Sequence, residues 1–291
     1  MMRPKIVVVG SSNTDLVVSV PQIPAPGQTV LGGALQTVAG GKGANQAVAA
    51  ARLGGAVCFI ARIGDDAYGT AARASFEHEG LDTRFVFTTP GVASGVALIA
   101  VDATTGENSI VVAPGANACL SATDIAAASA AFDEAKIIVI SLEIPDEAVF
   151  AAVEAGFSRG IPVLLNPAPA RALPPEILRK LSVLTPNQSE CEQLGGSAAL
   201  LASGVQMLIT TLGAEGAQLE QLGASPQRFP SPTVIAVDTV AAGDCFTGAL
   251  AVELARGESL DRAIAFACAA AAVKVTRAGA QPGLPYREEI A

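Results

Sequence analysis

The 291-residue sequence predicts an α/β protein built on a mostly parallel sheet, with a small second sheet set apart from it. Three observations carry this prediction. From Lys136 onward, short apolar runs that end in polar turns alternate regularly with helix-length segments. Residues 92–101 and 108–113 flank Asp102–Glu107 in a β-hairpin pattern that interrupts the alternation. Hydrophobic residues make up 51% and charged residues only 15%, so residues 1–291 can bury one large core as a single domain.

Taken in order, Lys5–Val9 reads as a buried first strand that ends at Gly10, with Asn13 and Asp15 just beyond its carboxyl end. In parallel α/β sheets that edge is where ligands bind, although Asn and Asp are also ordinary turn formers. Leu16–Val20 and Thr29–Thr37 read as strands on either side of the turn Pro21–Gly27. Together with the hairpin, the segments 14–37 and 91–113 make a small, mostly antiparallel sheet. The turn Gly40-Gly41-Lys42-Gly43-Ala44-Asn45-Gln46-Ala47 opens a helix through Arg52, and its glycines permit a close backbone approach to a polar ligand. It lacks the Walker A spacing Gly-x4-Gly-Lys-Ser/Thr. Residues 59–66 form a strand and turn, followed by a helix from Tyr68 to Glu79.

Strands at 136–141, 162–165, 183–185 and 207–211 place Glu143, Asn187 and Glu190 at the same edge as Asn13. The strand that ends at Thr211 leads into Gly213-Ala214-Glu215-Gly216, a weak signal for a phosphate-cradling turn. Residues 236–250 run from an apolar strand end through Ala241, Ala242 and Gly243 to Asp244 and an alanine-rich helix over 245–256. Three small residues leave backbone N–H groups bare at a helix N-terminus, which is an anion site. A carboxylate beside such a hole suits a base that deprotonates a hydroxyl while the amides hold the charge of a transferred phosphoryl group. A second helix spans about 259–273.

Composition excludes other classes. A net charge of −9 without a basic patch argues against nucleic acid, and a polyphosphate substrate would need a metal ion to offset the repulsion. One histidine, His78, leaves no basis for a zinc site or a Ser-His-Asp triad. Five scattered cysteines without a C-x-x-C pair fit a reduced, cytoplasmic protein. No apolar run reaches membrane-spanning length, and the first residues lead directly into a buried strand rather than a signal sequence. A dinucleotide oxidoreductase fails because Gly10 is followed by Ser11, Ser12 and Asn13, not by Gly-x-Gly-x-x-Gly.

The strings Asp238-Thr-Val-Ala-Ala-Gly-Asp244 and Gly40-Gly-Lys-Gly-Ala-Asn-Gln-Ala47 resemble the two signatures of the ribokinase family of sugar kinases. Asn166-Pro-Ala-Pro-Ala-Arg171 and Thr276-Arg-Ala-Gly-Ala-Gln-Pro282 extend the resemblance from Gly10 to Glu289. It implies a three-layer α/β/α sandwich with a β-sheet lid over the sugar, and phosphorylation of D-ribose at its 5-hydroxyl by ATP. In that reading Asp244 is the base, and the amides of Ala241, Ala242, Gly243 and Asp244 form the anion hole. Asn13, Asp15, Gly41, Lys42, Asn45, Glu143 and Asp244 hold the sugar. Asn187, Thr211, Gly213, Gly216, Gly243 and Cys268 line the nucleotide, and Glu190 organises magnesium through water. Potassium, an activator in the family, would be held by Asp238, Val240, Lys274, Arg277, Gly279 and Gly283. A homodimer through the lid is also implied.

Three positions depart from the family pattern. Cys268 stands where a histidine often lies beside adenine. Gly283 replaces a serine, so that the cation site gains a water, uses a backbone oxygen or binds more weakly. The connection over 191–206 is short. Other substrates remain open, namely 2-deoxyribose, fructose or adenosine, as does a non-catalytic sugar sensor.

Overall fold

The computed structural model describes residues 3–290. β1 (Lys5–Val9) is apolar at successive positions because both its faces are covered: Ile6 and Val8 enter one core, Val7 and Val9 the other. β2 (Asn13–Val20) and β3 (Gln36–Gly40) follow, then α1 (Lys42–Arg52), β4 (Ala56–Gly64), α2 (Ala67–His78) and β5 (Asp82–Thr89). β6 (Gly95–Asp102) and β7 (Asn108–Ala113) form the expected hairpin. Beyond α3 (Ala122–Ala127) come β8 (Ile137–Ser141), α4 (Asp146–Phe157), β9 (Val163–Asn166), α5 (Pro175–Leu178) and β10 (Val183–Leu184). α6 (Gln188–Gln193), α7 (Ser197–Ala202), β11 (Met207–Thr211), β12 (Ala217–Glu220) and β13 (Gln227–Phe229) lead to α8 (Ala242–Ala255) and α9 (Leu260–Val275).

The large sheet has nine strands in the order β13-β12-β11-β10-β9-β8-β1-β4-β5. It is parallel except at the edge strands β12 and β13. One face is covered by α1, α2, α8 and α9, and the other by α3 to α7, which gives three layers. The small sheet runs β3-β2-β6-β7, with β2 and β6 parallel in register from Asn13–Gly95 to Val20–Asp102. No helix among the described residues is long and apolar enough to cross a membrane.

Several boundaries differ from the sequence reading, each for a local reason. The strand expected over 29–37 begins only at Gln36 and runs to Gly40, because Gly32 and Gly33 interrupt it and Gly40 pairs with Asn13. Asn13 and Asp15 therefore lie inside β2, in the small sheet. The apolar residues before the second signature form no strand: Ile235 is 88% exposed, and the amides of Val237 and Asp238 both donate to the Val275 carbonyl. α8 starts at Ala242, three residues early, because Ala241 turns the chain in a left-handed conformation. β5, β12 and β13 had not been expected; the last two are only four and three residues long.

Two close approaches fix the helices that carry the site. At the start of α1, a Cβ on Gly43 would lie 2.5 Å from the Ser11 nitrogen and 2.6 Å from Gly10 backbone atoms. Where α1 meets α8, a Cβ on Gly248 would lie 2.8 Å from the Ala49 Cβ and 2.9 Å from the Gln46 carbonyl oxygen. Both pairs of backbones touch because side chains are missing. Gly43→Ala is predicted to destabilise the fold by about 1–3 kcal/mol through overpacking against backbone that cannot yield. A lowered urea midpoint with an unchanged slope would show this effect.

Candidate active site

The carboxyl ends of β9, β10 and β11 converge on a cleft of about 200 Å³ below the N-terminus of α8. Lys42, Asn187, Glu190, Thr211, Gly243 and Asp244 line it. Asp244 occupies the first turn of α8 and is only 5% exposed. Its two carboxylate oxygens accept separate hydrogen bonds, Oδ2 from Asn45 Nδ2 at 2.9 Å and Oδ1 from Gln46 Nε2 at 2.9 Å. Gln46 Nε2 also donates to Asn166 Oδ1 at 3.1 Å, and Asn166 Nδ2 donates to the Thr185 carbonyl at 2.7 Å. A chain of side-chain amides from α1 and β9 thus orients the carboxylate.

The amides of Ala241, Gly243 and Asp244 find no acceptor among the described residues. Ala242 departs from the expectation of a bare donor: its N–H donates to the Thr239 carbonyl at 3.2 Å. The turn into the helix is made by Ala241 at φ 59°, ψ 15°. For a residue with a Cβ this left-handed geometry costs about 1 kcal/mol, so the surrounding loop must enforce it.

On the other side of the cleft, Gly41 has φ 89°, and a Cβ there would lie 2.6 Å from the Asn13 nitrogen. This contact sets Lys42 beside the β1–β2 turn. The Lys42 amide donates to Glu143 Oε2 at 3.0 Å, and Ser11 Oγ donates to the same oxygen at 2.5 Å. Asn13 Oδ1 accepts from Asn117 Nδ2 at 2.7 Å, while Asn117 Oδ1 accepts from the Ser12 amide at 2.8 Å. Arg171, the last residue of the Asn-Pro-Ala-Pro-Ala-Arg string, donates to the carbonyls of Leu142 and Ile144 on either side of Glu143.

Four carboxylates surround one lysine here. Burial first, and then Glu143 and Asp244, push the Asp15 carboxyl up to about 6, against the pull of Lys42. Burial works against the charge of Lys42, yet Asp244, Glu143, Glu190 and Asp15 together hold its pKa above the ordinary lysine value. Glu190 is raised by burial, opposed by the Asn187 amide and Lys42.

Asn187 and Glu190 close on each other as a capping box. Glu190 Oε2 accepts from the Asn187 amide at 2.8 Å, and Asn187 Oδ1 accepts from the Glu190 amide at 2.8 Å. The cap and the cleft position are the same residues, since both line the cavity. Gly213 and Gly216 bound a short 3₁₀ turn between β11 and β12, at φ 59° and 95°. Cys268 does not line the cleft. It is buried in the core with Sγ toward the Phe229 carbonyl, and burial pushes its thiol up to about 11.

The residues expected to hold potassium do gather in one place, but not as a set of oxygens around a gap. Asp238 Oδ1 accepts from the Val240 amide at 2.9 Å, and Oδ2 from the Gly279 amide at 2.7 Å. The Lys274 carbonyl accepts the Arg277 amide at 3.0 Å. Its side chain turns inward, is 0% exposed, and donates from Nζ to the carbonyls of Asp238 at 3.0 Å and Arg277 at 3.3 Å. Burial lowers its pKa, and the Asp238 carboxylate, 3.9 Å from Nζ, opposes that shift. The Lys274 ammonium thus lies between the carbonyls of Asp238 and Arg277, two of the residues expected to hold the ion.

Comparison with known proteins gives the family. A model of the pfkB family of carbohydrate kinases matches residues 3–287. The chain belongs to this family. It is similar to a ribokinase of Haemophilus influenzae, 41% identical over 300 residues that cover 99% of this chain and 97% of that protein. A deoxyribokinase of Salmonella typhi is 37% identical over 298 residues, covering 98% of this chain and 97% of the relative. Among solved structures, an Arabidopsis thaliana ribokinase complexed with ribose and ATP superposes with a TM-score of 0.89 at 32% identity. That match covers 99% of this chain and 98% of the other.

Gln46, Asn117 and Asn166 were not singled out from the sequence as site residues. Gln46 and Asn166 lie inside strings already noted, and their amide side chains at a strand end or helix start were the available signal. Asn117 lies at the far end of the hairpin, with no local signal tying it to Asn13. The titration of Asp15 tests the electrostatics of this pfkB kinase. Its folded pKa near 6 exceeds the ordinary 3.8, so its stabilising contribution is complete below 3.8 and is lost as pH rises through 6. Carbon NMR of the carboxyl is predicted to show a midpoint near 6 in wild type and a higher one in Lys42→Met, which lacks the one attractive cation.

Proposed function

We propose that this enzyme phosphorylates D-ribose at its 5-hydroxyl with ATP, giving D-ribose 5-phosphate and ADP. The observation that carries this reading is the pinning of Asp244 by Asn45 and Gln46, directly beside the unpaired amides of Gly243 and Asp244. In this assignment the sugar lies between the β1–β2 turn and Asp244. Asn13, Asp15, Gly41, Lys42, Asn45 and Glu143 bind its ring hydroxyls, because carboxylates and amides pair well with adjacent hydroxyl groups. Asp244 accepts the proton of the 5-hydroxyl as that oxygen attacks the γ-phosphorus of ATP. The bond from phosphorus to the β,γ-bridging oxygen breaks, and ADP leaves. The amides at the α8 N-terminus, aided by the helix dipole, stabilise the charge on the phosphoryl oxygens. Beside that proton transfer, positioning and charge stabilisation are the protein's main contribution.

The cleft suits ATP entering from the β10–β11 side, where Asn187 and Thr211 line it, with Gly213 and Gly216 at the turn beyond. Magnesium brought with the nucleotide would be held through water by Glu190, whose carboxylate shares the cleft with the amides. When bound, it neutralises phosphate charge. The small sheet serves as the lid in this reading, since β2 carries Asn13 and Asp15. The small sheet exposes Leu98 and Val111 on one face and Ile110 and Val112 on the other, and these apolar residues suit a homodimer contact.

The similarity to ribokinases and to a ribose- and ATP-bound structure favours ribose. The similarity to a deoxyribokinase keeps 2-deoxyribose as the second reading. A coupled ADP-release assay with ribose, 2-deoxyribose, fructose and adenosine separates them: the larger kcat/KM names the substrate. Asp244→Asn is predicted to lower kcat by about 10³-fold or more while the sugar still binds. Near-normal turnover of this variant would remove Asp244 from the role of base.

A further inference from the structure

The loop that delivers the anion hole, residues 238–241, is held from below by a buried lysine. Lys274 lies in the last turn of α9, where a lysine would ordinarily extend to solvent with its ammonium hydrated. Here it is fully buried and shares its donors between the Asp238 carbonyl at 3.0 Å and the Arg277 carbonyl at 3.3 Å. The Asp238 carboxylate stands 3.9 Å away. A buried ammonium is retained only where oxygen partners offset its desolvation, so the pocket of oxygens and the lysine are matched to each other.

Gly283 completes the match. A Cβ at this position would lie 3.2 Å from Lys274 Cε and 3.2 Å from the Arg277 carbonyl oxygen, tighter than a comfortable contact. The residue that lacks a hydroxyl for an ion is the residue whose missing side chain admits the lysine. The residues present therefore do not fit a potassium ion: the gap is filled, and one expected ligand has no side chain.

We propose that the Lys274 ammonium is the built-in cation of this loop, taking the place of a diffusible monovalent ion, so that the kinase works without potassium. The charge lies below Asp238, whose carboxylate ties the Val240 amide to the Gly279 amide. It holds the chain that must enter Ala241 in its left-handed turn and present the amides of Gly243 and Asp244. Lys274 is a positioning residue, because it touches the loop and not the phosphate. The proposal rests on the kinase reading for its effect on turnover, but its effect on the fold can be measured without any sugar.

The test compares protein freed of potassium in sodium, potassium, ammonium and tetramethylammonium chlorides at constant ionic strength. Wild-type kcat is expected to agree within about twofold across the series, and its melting temperature to be the same in sodium and potassium. Lys274→Ala opens the oxygen pocket. It is expected to lose about 100-fold in kcat in tetramethylammonium and to recover much of it with potassium or ammonium, with a melting temperature that now rises with potassium. A lysine that merely capped the helix would give a variant insensitive to the choice of cation. Adding Gly283→Ser to Lys274→Ala supplies a further oxygen and is expected to tighten the potassium response. The proposal is overturned if potassium raises wild-type activity about tenfold, or raises its melting temperature, over sodium. It is equally overturned if Lys274→Ala keeps full activity without any small cation. Should no sugar be phosphorylated, the melting series still decides the cation question while the kinase reading fails.

Discussion

The contact between α1 and α8 is the constraint on which the site depends. The helices approach so closely at Gly248 that a single added carbon would meet Ala49 and the Gln46 backbone. That distance brings Asn45 and Gln46, on the first turn of α1, within 2.9 Å of Asp244 on the first turn of α8. Alanine and glycine at the seam give up side-chain burial, yet the alanine-rich faces still exclude water completely, and both helices contribute to one core. A larger residue at Gly248 would part the two N-termini and separate Asp244 from the amides that orient it.

The second constraint is electrostatic. Asp15, Glu143, Glu190 and Asp244 all act on Lys42, and burial first, then Glu143 and Asp244, raise the Asp15 carboxyl. Such crowding costs stability in a protein of net charge −9 and is typical of a site built for a ligand with many hydroxyl groups and a cation-bearing phosphate. On the far side of α8, the positive charge of Lys274 answers Asp238 below the anion-hole loop. Cations thus flank the helix N-terminus, one lining the cleft and one buried beneath the loop.

Much of this was legible in the sequence because the signals were local. Gly40-Gly41-Lys42 announced a close approach, three small residues before Asp244 announced bare amides at a helix start, and the alternation of strands and helices announced the parallel sheet. The two-residue strand β10 was found through the polar turn behind it. What escaped depended on distant packing. No local pattern says that Ala242 would spend its amide on Thr239, or that the apolar stretch before Asp238 would remain exposed. β5 carries Phe85 and Phe87 in alternation, a strand signal that was overlooked among helix-like neighbours. Lys274 is the sharpest case. In the sequence it follows an alanine-rich helix and the family pattern assigns it to an ion; only the fold shows its ammonium donating to the carbonyls of Asp238 and Arg277. Gly283 and Lys274, nine positions apart in the sequence, make sense only as a pair.

The central claim is geometric: one carboxylate and a set of bare amides converge on the oxygen and phosphorus that react. A crystal structure with ribose, ADP and a planar phosphoryl analogue tests it most directly. The account predicts the analogue seated against the amides of Gly243 and Asp244, with the 5-hydroxyl oxygen on its axis and within hydrogen-bond distance of an Asp244 oxygen. An analogue held elsewhere, or a sugar that presents a different group to Asp244, would contradict it.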